Sequence, residues 1–144
     1  GKDVEREPVY LTTANSHGEH DYGDSYVEIN LTNQHLFLYK DGKLVMESDF
    51  VSGNLSKGHD TPTGAFGLTY KTMNAVLRGP DYETPVTYWM PFVYGQGLHD
   101  ASWQTSFGGD TYKTKGSHGC INLPPDQAKI IYETIDKGYP ILLY

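Results

Sequence analysis

The chain is 144 residues long, 38% hydrophobic and 13% aromatic, enough to bury the core of one domain without disulfides. Its formal charge of −7 (18 Asp and Glu against 11 Lys and Arg), with no cluster of basic residues to neutralise phosphates, excludes nucleic acid as a partner. No apolar run reaches the roughly 18 residues that span a bilayer, and Gly1-Lys2-Asp3-Val4-Glu5-Arg6 carries neither an initiator Met nor a signal-peptide core, so the chain is expected to be a fragment of something longer.

Residues 1–24 are polar, with Ser16-His17-Gly18-Glu19-His20 and Asp21-Tyr22-Gly23-Asp24, and read as a linker from an upstream region, leaving 25–144 as one folded domain. From Tyr26 the texture changes. Val27, Ile29 and Leu31 alternate with polar residues, and Asp41-Gly42 between Leu36-Phe37-Leu38-Tyr39 and Leu44-Val45-Met46 predicts a β-hairpin with a tight turn. The third strand is expected to run on through Asp49-Phe50-Val51 to Ser52-Gly53, ahead of a loop that ends in Thr61-Pro62-Thr63-Gly64. Strand signals return at Ala65-Phe66-Gly67-Leu68-Thr69-Tyr70. The polar stretch from Thr72 to Thr84, broken by Gly79-Pro80 and Asp81, reads as a surface hairpin or a lid. In Pro85-Val86-Thr87-Tyr88-Trp89-Met90-Pro91-Phe92-Val93 the two prolines argue against a central strand over the whole length. One helix is predicted: Pro124 or Pro125 opens it, Asp126 sits near its positive end, Ala128, Ile131 and Ile135 share a face, and Gly138 is the C′ stop. Pro140-Ile141-Leu142-Leu143-Tyr144 closes the chain as a strand, giving a mainly β fold with one main helix.

The single cysteine, Cys120, lies in Lys115-Gly116-Ser117-His118-Gly119-Cys120-Ile121-Asn122-Leu123-Pro124-Pro125. A lone cysteine has no intramolecular disulfide partner, which leaves a small packed residue or a free reactive thiol. Gly116 and Gly119 permit a tight turn, and a helix just behind the turn is expected to favour thiolate. Free cysteine is only a few per cent ionised near pH 7, so a catalytic one needs a base. His118 is two residues away; His99, in Gly97-Leu98-His99-Asp100-Ala101-Ser102-Trp103, is placed between a strand and a short helix. His35 and His59 read as ordinary surface or partly buried residues.

"GLHDASW" followed by "GSHGCINLP" resembles the L,D-transpeptidase catalytic domain, or YkuD domain, whose signature is a His, a spacer, then Ser/Thr-His-Gly-Cys, an apolar residue and Asn or Arg. "TPTG" at 61–64 and "PVTYWMPF" at 85–92 also resemble segments of its Gram-positive members, so the similarity runs from about Tyr26 to Tyr144. The resemblance implies a β-sandwich of two mixed sheets, with Cys120 as nucleophile, His99 as its base and Asp100 or a nearby carbonyl orienting the imidazole. Ser117, His118 and Gly119 would support the site, the amides of His118, Gly119 and Cys120 facing an oxyanion. Trp103 is the expected pocket aromatic, Asn122 braces the loop or binds peptide, and Tyr88, Trp89 and Met90 complete the expected substrate-binding set.

The implied reaction is acyl transfer between peptidoglycan stem peptides, donor and acceptor, forming 3→3 cross-links through a thioester. Carbapenems are the implied inhibitors, no metal or cofactor is required, and the protein is expected to be a monomer outside the cytoplasmic membrane. An L,D-carboxypeptidase using water as acceptor and a non-catalytic wall-binding module are the alternatives. His17 and His20 have helical metal-site spacing but no further ligands, and a metal set of His99, His118 and Cys120 would leave the glycines and the aromatic run without a purpose.

Overall fold

Period-two alternation builds the first sheet. In the computed structural model, which describes residues 24–53, 61–79, 82–93, 95–115, 117 and 119–144, Val27 and Ile29 of β1 (Tyr26–Asn30) and Leu36 and Leu38 of β2 (His35–Lys40) face one core. The leading segment, apart from Asp24, lies outside the described residues, as do His59, Gly116 and His118. Between β2 and β3 (Lys43–Asp49), Asp41 and Gly42 both take positive φ, 54° and 79°, as a type I′ hairpin turn requires. β4 (Gly64–Gly67) and β9 (Pro140–Leu143) complete the sheet in the order β3-β2-β1-β9-β4, with β9 parallel to β1.

The second sheet runs β5-β6-β7-β8, from β5 (Thr72–Gly79), β6 (Tyr82–Val93), β7 (Gln96–Asp100) and β8 (Ile121–Leu123), with β7 and β8 parallel. α1 (Thr111–Lys115) precedes β8 and α2 (Pro125–Thr134) follows it. Leu98, Ile121 and Leu123 meet Ile141, Leu143 and Phe50 in the shared core, where Ala128 and Ile131 of α2 also insert. Burying each large aliphatic side chain of this kind contributes roughly 1.5–3 kcal/mol.

Several elements depart from expectation. The third strand stops at Asp49, because Phe50 and Val51 turn inward and Val51 pairs with Asn122 of the other sheet. The next strand covers only Gly64–Gly67. The run containing Pro85 and Pro91 is part of one continuous strand of 12 residues between β5 and β7. Both prolines are tolerated: Pro85 lies where β6 pairs on one side only, and Pro91 sits at a register shift opposite Gly97. No helix directly follows β7; Trp103 is in a turn closed by the Gln104 amide on the Ala101 carbonyl. α2 ends at Thr134 because Ile135 turns extended to reach the core, so Gly138, at φ 90°, serves a later turn rather than the helix cap.

At Gly97 the β6 backbone leaves no room for a side chain: a Cβ there would lie 2.5 Å from the Met90 carbonyl oxygen and from Pro91 Cα. Gly97→Ala is therefore expected to cost about 1–3 kcal/mol in urea unfolding, since backbone cannot yield as a side chain would.

Candidate active site

The parallel register sets Leu98 beside Ile121 and His99 beside Asn122. Leu98, Ile121 and Leu123 point into the core, so the alternate residues His99, Asn122 and Cys120 share the opposite face. Above them opens a cleft of about 620 Å³. One wall is the β5–β6 hairpin, through Leu77, Tyr82, Glu83, Thr84 and Pro85; the other is Trp103, Gln104 and Thr105, with Ser117 beside the cysteine.

The turn that presents Cys120 is clipped from within. Ser117 Oγ donates to the Cys120 carbonyl at 2.5 Å and accepts the Gly119 amide at 3.0 Å. That amide is thus engaged inside the turn, which departs from its expected place facing an oxyanion. Gly119 itself is obligatory: its φ is 123°, and a Cβ would come within 2.2 Å of Gln96 Nε2. A second layer holds the turn in place. Buried Thr61 donates to the Gly119 carbonyl at 2.7 Å and accepts the Gly53 amide at 2.9 Å. Ser52 accepts the Ser117 amide at 2.8 Å on its carbonyl, and is itself fixed by fully buried Gln34, which accepts its amide and donates to its Oγ.

His99 is buried, 3% exposed, with its ring 6.0 Å from those of both Trp89 and Trp103. Nδ1 donates to the Asp100 backbone carbonyl at 2.8 Å, which leaves Nε2 as the ring's lone-pair nitrogen. The Asp100 carboxylate is occupied elsewhere, on the amides of Thr87 and Tyr88, so the carbonyl is the orienting group. Burial lowers the His99 pKa, opposed by the hydrogen bond to Asp100 and by its charge. Burial also pushes the Cys120 thiol up to about 11, with a backbone hydrogen bond at Gly97 opposing. The expected thiolate bias from the helix is missing for a geometric reason. β8 stands between Cys120 and Pro125, roughly 10 Å of extended chain, whereas a helix terminus acts within about one turn. Both shifts favour the uncharged forms, a thiol and a neutral imidazole.

Of the aromatic residues singled out, Trp103 is half exposed on the cleft wall, while Trp89 backs the His99 ring and donates to the Tyr70 hydroxyl at 3.2 Å. Tyr88 packs against Tyr132 of α2 and Met90 is fully buried in the core; neither lines the cleft, because their side chains turn toward the helix and the interior. Asn122 donates to Gln104 Oε1 at 3.0 Å, bracing the Trp103 turn. Sequence reasoning missed Thr61 and Gln34, whose work depends on partners far along the chain, and Tyr82 and Glu83, which only the hairpin geometry brings to the cleft. The TPTG segment was the one available signal for Thr61.

The family model for the L,D-transpeptidase catalytic domain, YkuD, matches residues 24–143. A crystal structure of Enterococcus faecium L,D-transpeptidase is 45% identical with a TM-score of 0.81, covering 85% of this chain and 50% of that one. This chain thus spans about half the length of that enzyme. The catalytic domain of the E. faecium enzyme acylated by ertapenem is 46% identical with a TM-score of 0.75, covering 84% of this chain and 97% of that one. An L,D-transpeptidase from Stackebrandtia nassauensis is 29% identical with a TM-score of 0.69, covering 85% and 56%. No curated protein matches the chain.

The clipped turn and the raised thiol pKa each have a measurable consequence. Thr61→Val strips the hydroxyl that joins Gly53 to Gly119 and leaves both groups unpaired; urea unfolding is expected to show a loss of about 1–3 kcal/mol, largely restored in Thr61→Ser. Alkylation of Cys120 by iodoacetamide, followed by intact mass, should accelerate about tenfold per pH unit from 7 to 9 without a plateau, because the thiol titrates only near 11.

Proposed function

The chain belongs to the L,D-transpeptidase catalytic-domain family, and on that premise we propose that it transfers peptidoglycan stem peptides through a thioester on Cys120. The observation that carries this reading is the shared face of β7 and β8, where Cys120 and a His99 with its Nε2 lone pair available open on one cleft. With the thiol near 11, only on the order of one molecule in 10⁴ is thiolate at pH 7, so proton removal accompanies attack rather than preceding it. Nε2 of His99 takes the Sγ proton as sulfur attacks the carbonyl carbon of the third stem residue, an L-centre joined to D-Ala. The bond to D-Ala breaks, and the imidazolium returns the proton to the departing amine. A thioester remains. An amine of the third residue of a second stem, direct or through its bridge, then attacks the thioester, restores the thiol and leaves a 3→3 cross-link.

Carbapenems would acylate the same sulfur, a reading supported by the similar E. faecium domain acylated by ertapenem. A peptidoglycan substrate places the enzyme outside the cytoplasmic membrane, and the domain is taken to begin near residue 25. His118 lies outside the described residues, so its part in the reaction rests on the sequence motif alone.

Intact-mass spectrometry after incubation with ertapenem, and separately with tetrapeptide stems, tests this reading. Wild type should gain one drug mass and produce cross-linked dimers, Cys120→Ala should do neither, and His99→Ala should acylate roughly 10²–10⁴-fold more slowly. Tripeptide without dimer would assign a carboxypeptidase instead. Because burial lowers the His99 pKa from 6.5, the acylation rate should hold as pH falls to 6.5 and drop only below it, as Nε2 becomes protonated.

A further inference from the structure

The β5–β6 hairpin forms one wall of the cleft, yet it stands largely on its own. β7 pairs with β6 only from Trp89 to Val93, whereas β5 pairs with β6 from Trp89 out to Tyr82. The outer part of β6 therefore has a single neighbouring strand among the described residues. A two-stranded ribbon is marginal by itself, so its placement depends on how its root is held.

That root is irregular in one place. The ladder joins Met73 to Tyr88 and Ala75 to Val86 but skips the step between them, Asn74 opposite Thr87, and Asn74 has a φ of 58°. At the same step the Asp100 carboxylate intervenes. It accepts the Thr87 amide at 2.9 Å and 3.2 Å and the Tyr88 amide at 2.7 Å, and it is 5% exposed. A buried carboxylate spent on two strand amides is costly unless its geometry is required. Asp100 stands one residue beyond the last β6–β7 pair, Trp89 with His99, and its own carbonyl orients the His99 ring.

We propose that Asp100 is a positioning residue, its carboxylate fixing the kinked root of the hairpin while its carbonyl fixes His99, so that the substrate-binding wall and the base are set by one residue. This rests on the acyl-transfer reading above. Its consequence is a separation of effects: loss of the carboxylate misplaces Leu77, Tyr82 and Thr84 against a bulky acyl donor, but keeps the backbone carbonyl that orients His99 and lowers the His99 pKa further, so the ring stays neutral and the thiol stays in place. A small electrophile that needs no wall is blind to the change.

The experiment compares ertapenem acylation with iodoacetamide alkylation of Cys120 by intact mass, in wild type, Asp100→Asn, Asn74→Val and Asn74→Gly. The first substitution keeps the backbone carbonyl but replaces one carboxylate oxygen with a donor. Asp100→Asn is expected to slow ertapenem about tenfold or more while iodoacetamide stays within about twofold. Asn74→Val, on an exposed position where a β-branched residue resists positive φ, should give the same split without touching the buried carboxylate, and Asn74→Gly should behave as wild type. Equal slowing of both reagents, or of neither, in the folded variants overturns the proposal; should Asp100→Asn not fold, the Asn74 pair decides alone. If wild type itself fails to take up ertapenem, the acyl-transfer reading falls and this one with it.

Discussion

The parallel pairing of β7 with β8 is the constraint on which the site depends. Two strands distant in sequence are locked with His99 opposite Asn122, and strict alternation then puts Cys120 on the face of His99 while Leu98, Ile121 and Leu123 enter the core. A slip of one residue in β8 would exchange its two faces, turning Asn122 and Cys120 toward the core and Ile121 and Leu123 away from it, and would part the thiol from His99. The hydrophobic core and the reactive face are thus enforced by the same register.

The turn before β8 is then fixed by partners from the first half of the chain. Gln34 holds Ser52, Ser52 holds Ser117, Ser117 closes on Cys120, and Thr61 pins Gly119. Such a chain of buried hydrogen bonds is costly to leave half made, which favours one geometry for the sulfur. Desolvation in this setting lowers the His99 pKa and raises that of Cys120, so both shifts favour the uncharged forms.

Much of this was legible in the sequence, for physical reasons. Asp41-Gly42 encodes its own positive φ angles, alternation in β1 and β2 encodes their faces, and the His99 and Ser117 to Asn122 segments carry the family signature. Other features needed three dimensions. The end of β3 at Asp49 reflects a crossing between sheets that no local pattern records, and Pro85 and Pro91 are admissible only because of an open strand side and a register shift. The thiolate expected at Cys120 failed because proximity in sequence to a helix is not proximity in space once a strand lies between. Tyr88, Trp89 and Met90 all belong to the expected substrate-binding set, yet a strand sends neighbours to opposite faces, and here Met90 is core and Trp89 supports His99.

The central claim is that the resting site pairs a protonated thiol with a neutral His99 whose Nδ1 carries the hydrogen. Two-bond ¹⁵N–¹H correlation spectra of histidine-labelled protein at pH 7, with His99→Gln used to assign the ring among the six histidines, test it most directly. A neutral ring with hydrogen on Nδ1 and a bare Nε2 is the predicted result. An imidazolium pattern at that pH would mean a preformed thiolate–imidazolium pair and would contradict the account.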